Sequence, residues 1–144
     1  MQINSILVVC IGNICRSPMA EYFIKAAYPQ LKIESAGISG LIGHPADDKA
    51  VLCMQRHNID MSGHIAKKLN ADLIKKYDLV LVMSNNQLKH IEQTWPFAKG
   101  KTFRLGHWQS KNVPDPYQHD QTVFDETCEL IQSCIADWKK YISI

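Results

Sequence analysis

The chain has 144 residues, 46% of them apolar and 21% charged, with a formal charge of +2 at pH 7. This is the length of one domain around one core, and the charge is too small to argue for nucleic acid or an anionic membrane surface as partner. No apolar run is long enough to cross a bilayer, and residues 1–5 hold neither a basic region nor an apolar segment ahead of a cleavage site, so a cytoplasmic protein without membrane insertion is expected.

Residues 6–9 are apolar and mostly β-branched, too short a run for a helix, and read as a buried strand. They feed directly into Cys10-Ile11-Gly12-Asn13-Ile14-Cys15-Arg16-Ser17-Pro18. Pro18 suits the first position of a helix and Ser17 the cap before it, with the helix running to about Tyr28, where Pro29 stops it. Met19, Tyr22, Phe23 and Ala26 share one face. A second strand spans 31–35. The loop that follows, 36–44, has three glycines and therefore special backbone needs.

Pro45 opens a second predicted helix, ending near His57, with Asp47 and Asp48 in its first turn. Their position favours dipole stabilisation over a metal or acid–base role. A loop covers 58–63, and 64–69 has no clear period. Asn70 caps a short helix over 71–76. The unbroken apolar run at 78–83 suits a parallel strand covered on both faces. Residues 84–87 have capping-box spacing for a helix to about Trp95, ended by Pro96. An edge strand at 102–105 precedes a long loop, 106–118, that contains Pro114-Asp115-Pro116-Tyr117. In the last helix, Phe124, Cys128, Ile131, Ile135, Trp138 and Ile142 form an apolar stripe at helical spacing, which makes Trp138 a core residue. Strands alternating with helices imply an α/β domain: a doubly wound sheet of four parallel strands with helices on both faces, over residues 1–144.

Five cysteines stand at 10, 15, 53, 128 and 134, an odd number without the spacing of a disulfide framework or a zinc site. Cys53, Cys128 and Cys134 read as small buried hydrophobes. Cys10 differs, because it lies where a strand ends and a helix is about to begin. Backbone N–H groups of the intervening loop can converge on an anion there, assisted by the helix dipole. That field favours a thiolate at Cys10, and Arg16 offers a planar fork for two phosphate oxygens. The pattern points to phosphoryl transfer through a covalent cysteine intermediate, without a metal or other cofactor. Such a transfer needs a proton donor for the leaving oxygen. Asp115 is the candidate, because Pro114 and Pro116 stiffen its loop.

The early Cys10–Ser17 stretch and the late Asp115-Pro116-Tyr117 resemble the low-molecular-weight protein tyrosine phosphatases. Ser35-Ala36-Gly37 and the His64 region extend the likeness over essentially the whole chain. Gly43-His44-Pro45-Ala46-Asp47 looks most like the bacterial branch associated with capsular or exopolysaccharide tyrosine kinases. The resemblance implies Cys10 as nucleophile, Arg16 as phosphate clamp and Asp115 as acid and then base. It gives Ile11, Gly12, Asn13, Ile14, Cys15 and Ser17 as the phosphate-binding loop, Ser17 donating to the thiolate and Asn13 pinning the loop. Ser35 and His64 become supporting residues. Ile11, Leu41 and Tyr117 supply apolar walls for an aromatic ring; many relatives have an aromatic residue at 41 and a second Tyr at 118, where this chain has Leu41 and Gln118. Cys15 matches the family's second loop cysteine and has two readings, a packing residue or a trap for oxidised Cys10 as a reversible disulfide.

The expected substrate is a phosphotyrosine protein, such as an autophosphorylating bacterial tyrosine kinase, with the enzyme acting as a monomer. Two alternatives stand beside this reading. An arsenate reductase would share the loop and fold, but it relays a disulfide through cysteines after the third strand, and none lies between Cys53 and Cys128. A non-catalytic phosphotyrosine-binding module would need neither Cys10 nor Asp115.

Overall fold

The computed structural model describes residues 2–142; Met1, Ser143 and Ile144, which the single-domain reading includes, lie outside the described residues. The predicted α/β fold is present. Four parallel strands, β1 (Ser5–Cys10), β2 (Lys32–Gly37), β3 (Leu79–Val82) and β4 (Thr102–Arg104), lie in the order β2-β1-β3-β4. Every residue of β1 is buried. Its side chains alternate: Ile6, Val8 and Cys10 enter one core, Leu7 and Val9 the other. This is the period-2 consequence of a central strand covered on both faces.

The first core is closed by α1 (Arg16–Ala27), α2 (Asp48–Gln55) and α5 (Gln121–Ala136), and the second by α3 (Ala71–Lys76) and α4 (Asn85–Thr94). Because β2 continues on one side of β1 and β3 on the other, the strand order reverses at the carboxyl end of β1. Ligands of open α/β sheets bind at such a reversal, and Cys10 is the last residue of that strand. No helix among the described residues is long and apolar enough to cross a membrane.

Several element boundaries differ from those expected. Helix α1 begins at Arg16 rather than Pro18, and its N-cap, Cys15, makes no side-chain capping bond. Ser17 is not the cap, because its hydroxyl is engaged with Cys10 and Asn13. Helix α2 begins at Asp48, capped by Asp47, whose carboxylate accepts from Lys49 N. Pro45 instead forms an antiparallel bridge with Ile65, so a tertiary pairing replaces the first turn expected from the sequence. Residues 64–69, without a clear period, hold this bridge and a second one between Gly37 and Lys68.

Ser84 caps α4 through Gln87 N, while Gln87 Oε1 accepts from Met83 N, one residue before the expected partner. Helix α5 stops at Ala136, short of Trp138 and Ile142. Both remain in the core: Trp138 donates Nε1–H to the Leu105 carbonyl at 2.9 Å, and Ile142 bridges to Ile3.

Candidate active site

The loop from Cys10 to Cys15 is fixed through its carbonyl groups. The Cys10 carbonyl accepts from Ile38 N (2.8 Å), that of Ile11 from Ser39 N and Gly40 N (both 3.1 Å), and that of Gly12 from Leu41 N (3.0 Å). Asn13 O is 2.8 Å from His64 Nε2, Ile14 O accepts from Asp47 N at 2.9 Å, and Cys15 O from Met19 N at 3.1 Å. Every carbonyl of the loop is thus tied to a donor outside it. Among the described residues, the N–H groups of residues 11–15 have no acceptor in the protein. Unpaired amides on a strand-to-helix turn form an anion cradle.

Two residues make this shape accessible. Asn13 adopts φ +61°, a left-handed conformation that Asn tolerates better than most side chains. Gly37, paired with Cys10 across β1 and β2, lies directly behind the loop. A Cβ there would stand 2.5 Å from Ile11 O and 3.0 Å from Asn13 N, so the loop can approach only a glycine.

A buried hydrogen-bond chain underlies the loop. Asn13 Nδ2 can only donate, and it does so to Ser17 Oγ (2.8 Å) and Ser35 Oγ (3.0 Å). Ser35 in turn donates its O–H to Glu21 Oε1 at 2.5 Å. The Ser17 hydroxyl also lies 2.9 Å from Cys10 Sγ, and toward a Cys10 thiolate it is the donor. Asn13 Oδ1 accepts from Lys67 N at 3.0 Å, which fixes the amide orientation. Because the partner of His64 Nε2 is a carbonyl, that nitrogen carries a proton. Asn13, Ser17, Ser35 and His64 therefore lie beneath the pocket rather than in its wall.

The wall is a pocket of about 170 Å³ lined by Cys10, Ile11, Gly12, Ile14, Cys15, Arg16, Ser39, Leu41, Asp115 and Tyr117. The structure thus gathers the expected nucleophile, clamp, acid and apolar walls in one place. Ile11, Leu41 and Tyr117 are exposed large hydrophobic residues at its mouth. Arg16 is 5% exposed and donates Nη1–H to the Val113 carbonyl at 2.9 Å. Its Nη2 is 3.7 Å from Asp115 Oδ2, too long for a hydrogen bond, and the Asp115 side chain is half exposed. Asp115 Oδ1 accepts from Tyr117 N at 3.1 Å, a local turn that orients the carboxylate. Cys15 is buried and free; burial first, and then the nearby Asp47, push its thiol well up.

Sequence reasoning misses the parts played by Glu21, Ser39 and Val113, and the close approach of the loop to Gly37. Glu21 alone leaves a usable signal, as a carboxylate four residues after Ser17 on the helix face that is otherwise buried. Among the described residues no group of three or more His, Cys, Asp or Glu side chains is placed to hold a metal ion.

Residues 5–143 match the family model for low molecular weight phosphotyrosine protein phosphatase. The chain is 75% identical over 142 residues to the low molecular weight protein-tyrosine-phosphatase Ptp of Acinetobacter johnsonii, covering 99% of this chain and 100% of the relative. It is 38% identical over 144 residues to Etp of Escherichia coli strain K12, with 99% and 97% covered. The crystal structure of the tyrosine phosphatase Wzb from Escherichia coli K30 in complex with sulphate has the same fold, with a TM-score of 0.92 at 37% identity over 96% of this chain and 97% of that one. Likeness over the whole length, joined to a thiol at the head of an amide cradle, shows that the chain belongs to the low molecular weight phosphotyrosine protein phosphatase family.

Proposed function

We propose that the protein hydrolyses phosphotyrosine in proteins in two steps, through a phosphocysteine at Cys10. The observation that carries this reading is the cradle itself: a sulfur within hydrogen-bond distance of the Ser17 hydroxyl, at the base of a loop whose amides have no acceptor among the described residues. In the first step the Cys10 sulfur attacks phosphorus in line. Arg16 and the N–H groups of residues 11–15 hold the equatorial oxygens, and Asp115 protonates the departing tyrosine oxygen. In the second step Asp115, now a carboxylate, takes a proton from water as that water breaks the S–P bond and releases phosphate. The cradle and Arg16 supply the positive charge that the transition state needs, so no metal enters either step.

Ile11, Leu41 and Tyr117 at the mouth suit the flat ring of tyrosine and leave a serine phosphate short of contacts. The resemblance to the branch that accompanies capsular and exopolysaccharide kinases supports an autophosphorylated bacterial tyrosine kinase as the physiological substrate, met in the cytoplasm by a monomeric enzyme.

The test is hydrolysis of aryl phosphates in a reducing, metal-free buffer. Wild type should turn over. Cys10→Ser should lose activity, and Asp115→Asn should lose about 10²-fold or more in kcat/KM toward phenyl phosphate. Acid quenching of wild type during turnover should trap phosphate on the peptide containing Cys10. Inactivity of clean, reduced wild type would sink the reading, and activity surviving Cys10→Ser would name a different nucleophile. Phosphotyrosine peptides should be preferred over phosphoserine peptides of the same sequence.

A further inference from the structure

The loop that carries Asp115 is held firmly at its upstream end. Val113 N donates to the Met83 carbonyl just beyond β3 (2.8 Å), and the Val113 carbonyl accepts from Arg16 (2.9 Å). Downstream the loop bonds to itself, through Tyr117 N to Asp115 Oδ1 and His119 N to the Pro116 carbonyl (2.9 Å), with Gln118 at φ +67°. Among the described residues, the one hydrogen bond that reaches residues 115–119 from elsewhere is donated by Lys49. Its Nζ lies 2.6 Å from the His119 carbonyl oxygen.

Lys49 is well placed to transmit position. It stands in the first turn of α2, whose start is tied to the nucleophile loop: Asp47 N donates to the Ile14 carbonyl, and Asp47 Oδ1 accepts from Lys49 N, both at 2.9 Å. The Lys49 carbonyl accepts from Gln121 Nε2 at 3.0 Å, at the start of α5. The ammonium group lies 5.9 Å from the centre of the buried Phe124 ring, which narrows the volume it can occupy. One side chain thus joins the segment behind Ile14 to the far end of the loop bearing Asp115.

We propose that Lys49 is a positioning residue that holds Asp115 over the pocket. The inference rests on the reading of Asp115 as the general acid. Lys49 touches neither the reacting atoms nor Asp115. It restricts the downstream end of a loop whose acid is otherwise half exposed and 3.7 Å from its nearest cation. An ammonium-to-carbonyl bond is charge-assisted, but here it competes with water, so the effect should be several-fold rather than a thousandfold.

The experiment compares kcat/KM for phenyl phosphate and 4-nitrophenyl phosphate in wild type, Lys49→Met, Lys49→Arg and Asp115→Asn. Phenoxide leaves poorly without a proton, whereas the more acidic nitrophenol depends on the acid much less. The ratio of the two values within one preparation is independent of how much enzyme is active, so partial misfolding does not move it. Lys49→Met should lower the phenyl-to-nitrophenyl ratio about three- to tenfold, and Lys49→Arg should keep it within about twofold of wild type.

An unchanged ratio in Lys49→Met, with a lowered one in Asp115→Asn, would overturn the role of Lys49 and leave the acid in place. An Arg variant as impaired as the Met variant would also overturn it, by assigning the effect to packing rather than to the donated bond. If Asp115→Asn leaves the ratio unchanged, the acid assignment falls and the positioning role falls with it.

Discussion

A cysteine, an arginine and an aspartate come together twice in this molecule: Cys10, Arg16 and Asp115 at the end of β1, and Cys53, Arg56 and Asp125 between α2 and α5. The second group also borders a cavity, of about 220 Å³. The two differ in the backbone and in the partner of the sulfur. Cys53 lies inside α2, where the amides are used by the helix, whereas Cys10 opens a loop of amides without acceptors among the described residues. Cys53 donates its proton to Asp125 Oδ1 at 3.0 Å, and burial together with that bond pushes the thiol up. Cys10 Sγ instead has a hydroxyl beside it, that of Ser17 at 2.9 Å, which is the donor toward a thiolate. Arg56 is half exposed and pairs with Asp125 at 2.5 Å, whereas Arg16 is buried and 3.7 Å from its carboxylate. The same three residue types therefore make a tie between two helices in one place and border an open cradle of amides, the proposed phosphate site, in the other. Available backbone donors decide which.

The largest expected effect separates the two cysteines directly. Cys10→Ser should lower kcat/KM for an aryl phosphate by on the order of 10⁴-fold or more, while Cys53→Ser should leave it within about twofold. Equal losses would mean that the two cysteines do not differ in function. Alkylation sharpens the same contrast chemically. Burial first, with Asp125 for Cys128 and Asp137 for Cys134, raises both thiols to about 11. At pH 8 only about one molecule in a thousand carries either as thiolate. Iodoacetamide followed by peptide mass analysis should therefore label Cys10 first, and inorganic phosphate should protect it. Rapid labelling of Cys128 or Cys134 would contradict the burial argument.

Next is the support behind the loop. Gly37→Ala places a methyl group against three backbone atoms of residues 11–13 that cannot give way separately. It should cost about 1–3 kcal/mol of stability and, by displacing the cradle, about 10²-fold in kcat/KM. A full-activity Gly37→Ala enzyme would show that the loop tolerates displacement.

Much of this contrast is legible in the amino-acid sequence, because its cues are local. A β-branched run, a cysteine, a glycine-containing loop and a Pro-bearing helix start follow one another within residues 6–18, and they locate the anion site. The Pro–Asp–Pro–Tyr segment marks the second loop for the same reason. What is not legible depends on parts of the chain that meet only in the fold. From local pattern Ser17 reads as a helix cap, and only the family resemblance points to Cys10; in the structure its hydroxyl lies against Cys10 and Asn13 and makes no cap. Pro45 reads as a helix start, but its pairing with Ile65 comes from a segment without any period of its own. The stripe that runs on to Trp138 and Ile142 identifies core residues correctly. It cannot show that the helix ends first, because the residues after it are buried through Leu105 and Ile3 rather than through helical spacing. Glu21 stands between the two: its place on the buried face of α1 is a local cue, but its partner Ser35 meets it only in the fold.

The smallest effect expected is at Asp125, and it tests whether the second cluster is no more than a tie. Hydrogen bonds from Cys53 and then Gln121 hold the Asp125 carboxyl below its ordinary range. A carboxyl lowered in the folded state stabilises the fold above its unfolded value, near 3.9, and that contribution is lost as pH falls through the folded value. Asp125→Asn should therefore lower the melting temperature at pH 6 by no more than about 4 °C, as befits an ion pair open to water. The gap between variant and wild type should close as the pH is taken below about 4. Aryl phosphate turnover should stay within about twofold of wild type at every pH between about 5 and 8, because the hydrogen bonds of Asp125 go to Cys53, Arg56 and Gln121 and not to the loop of Cys10. A gap that persists at low pH would locate the contribution in shape rather than in charge. A large loss of turnover would mean that the tie between α2 and α5 reaches the cradle through Lys49 and Gln121, which bond the same two helices beside it.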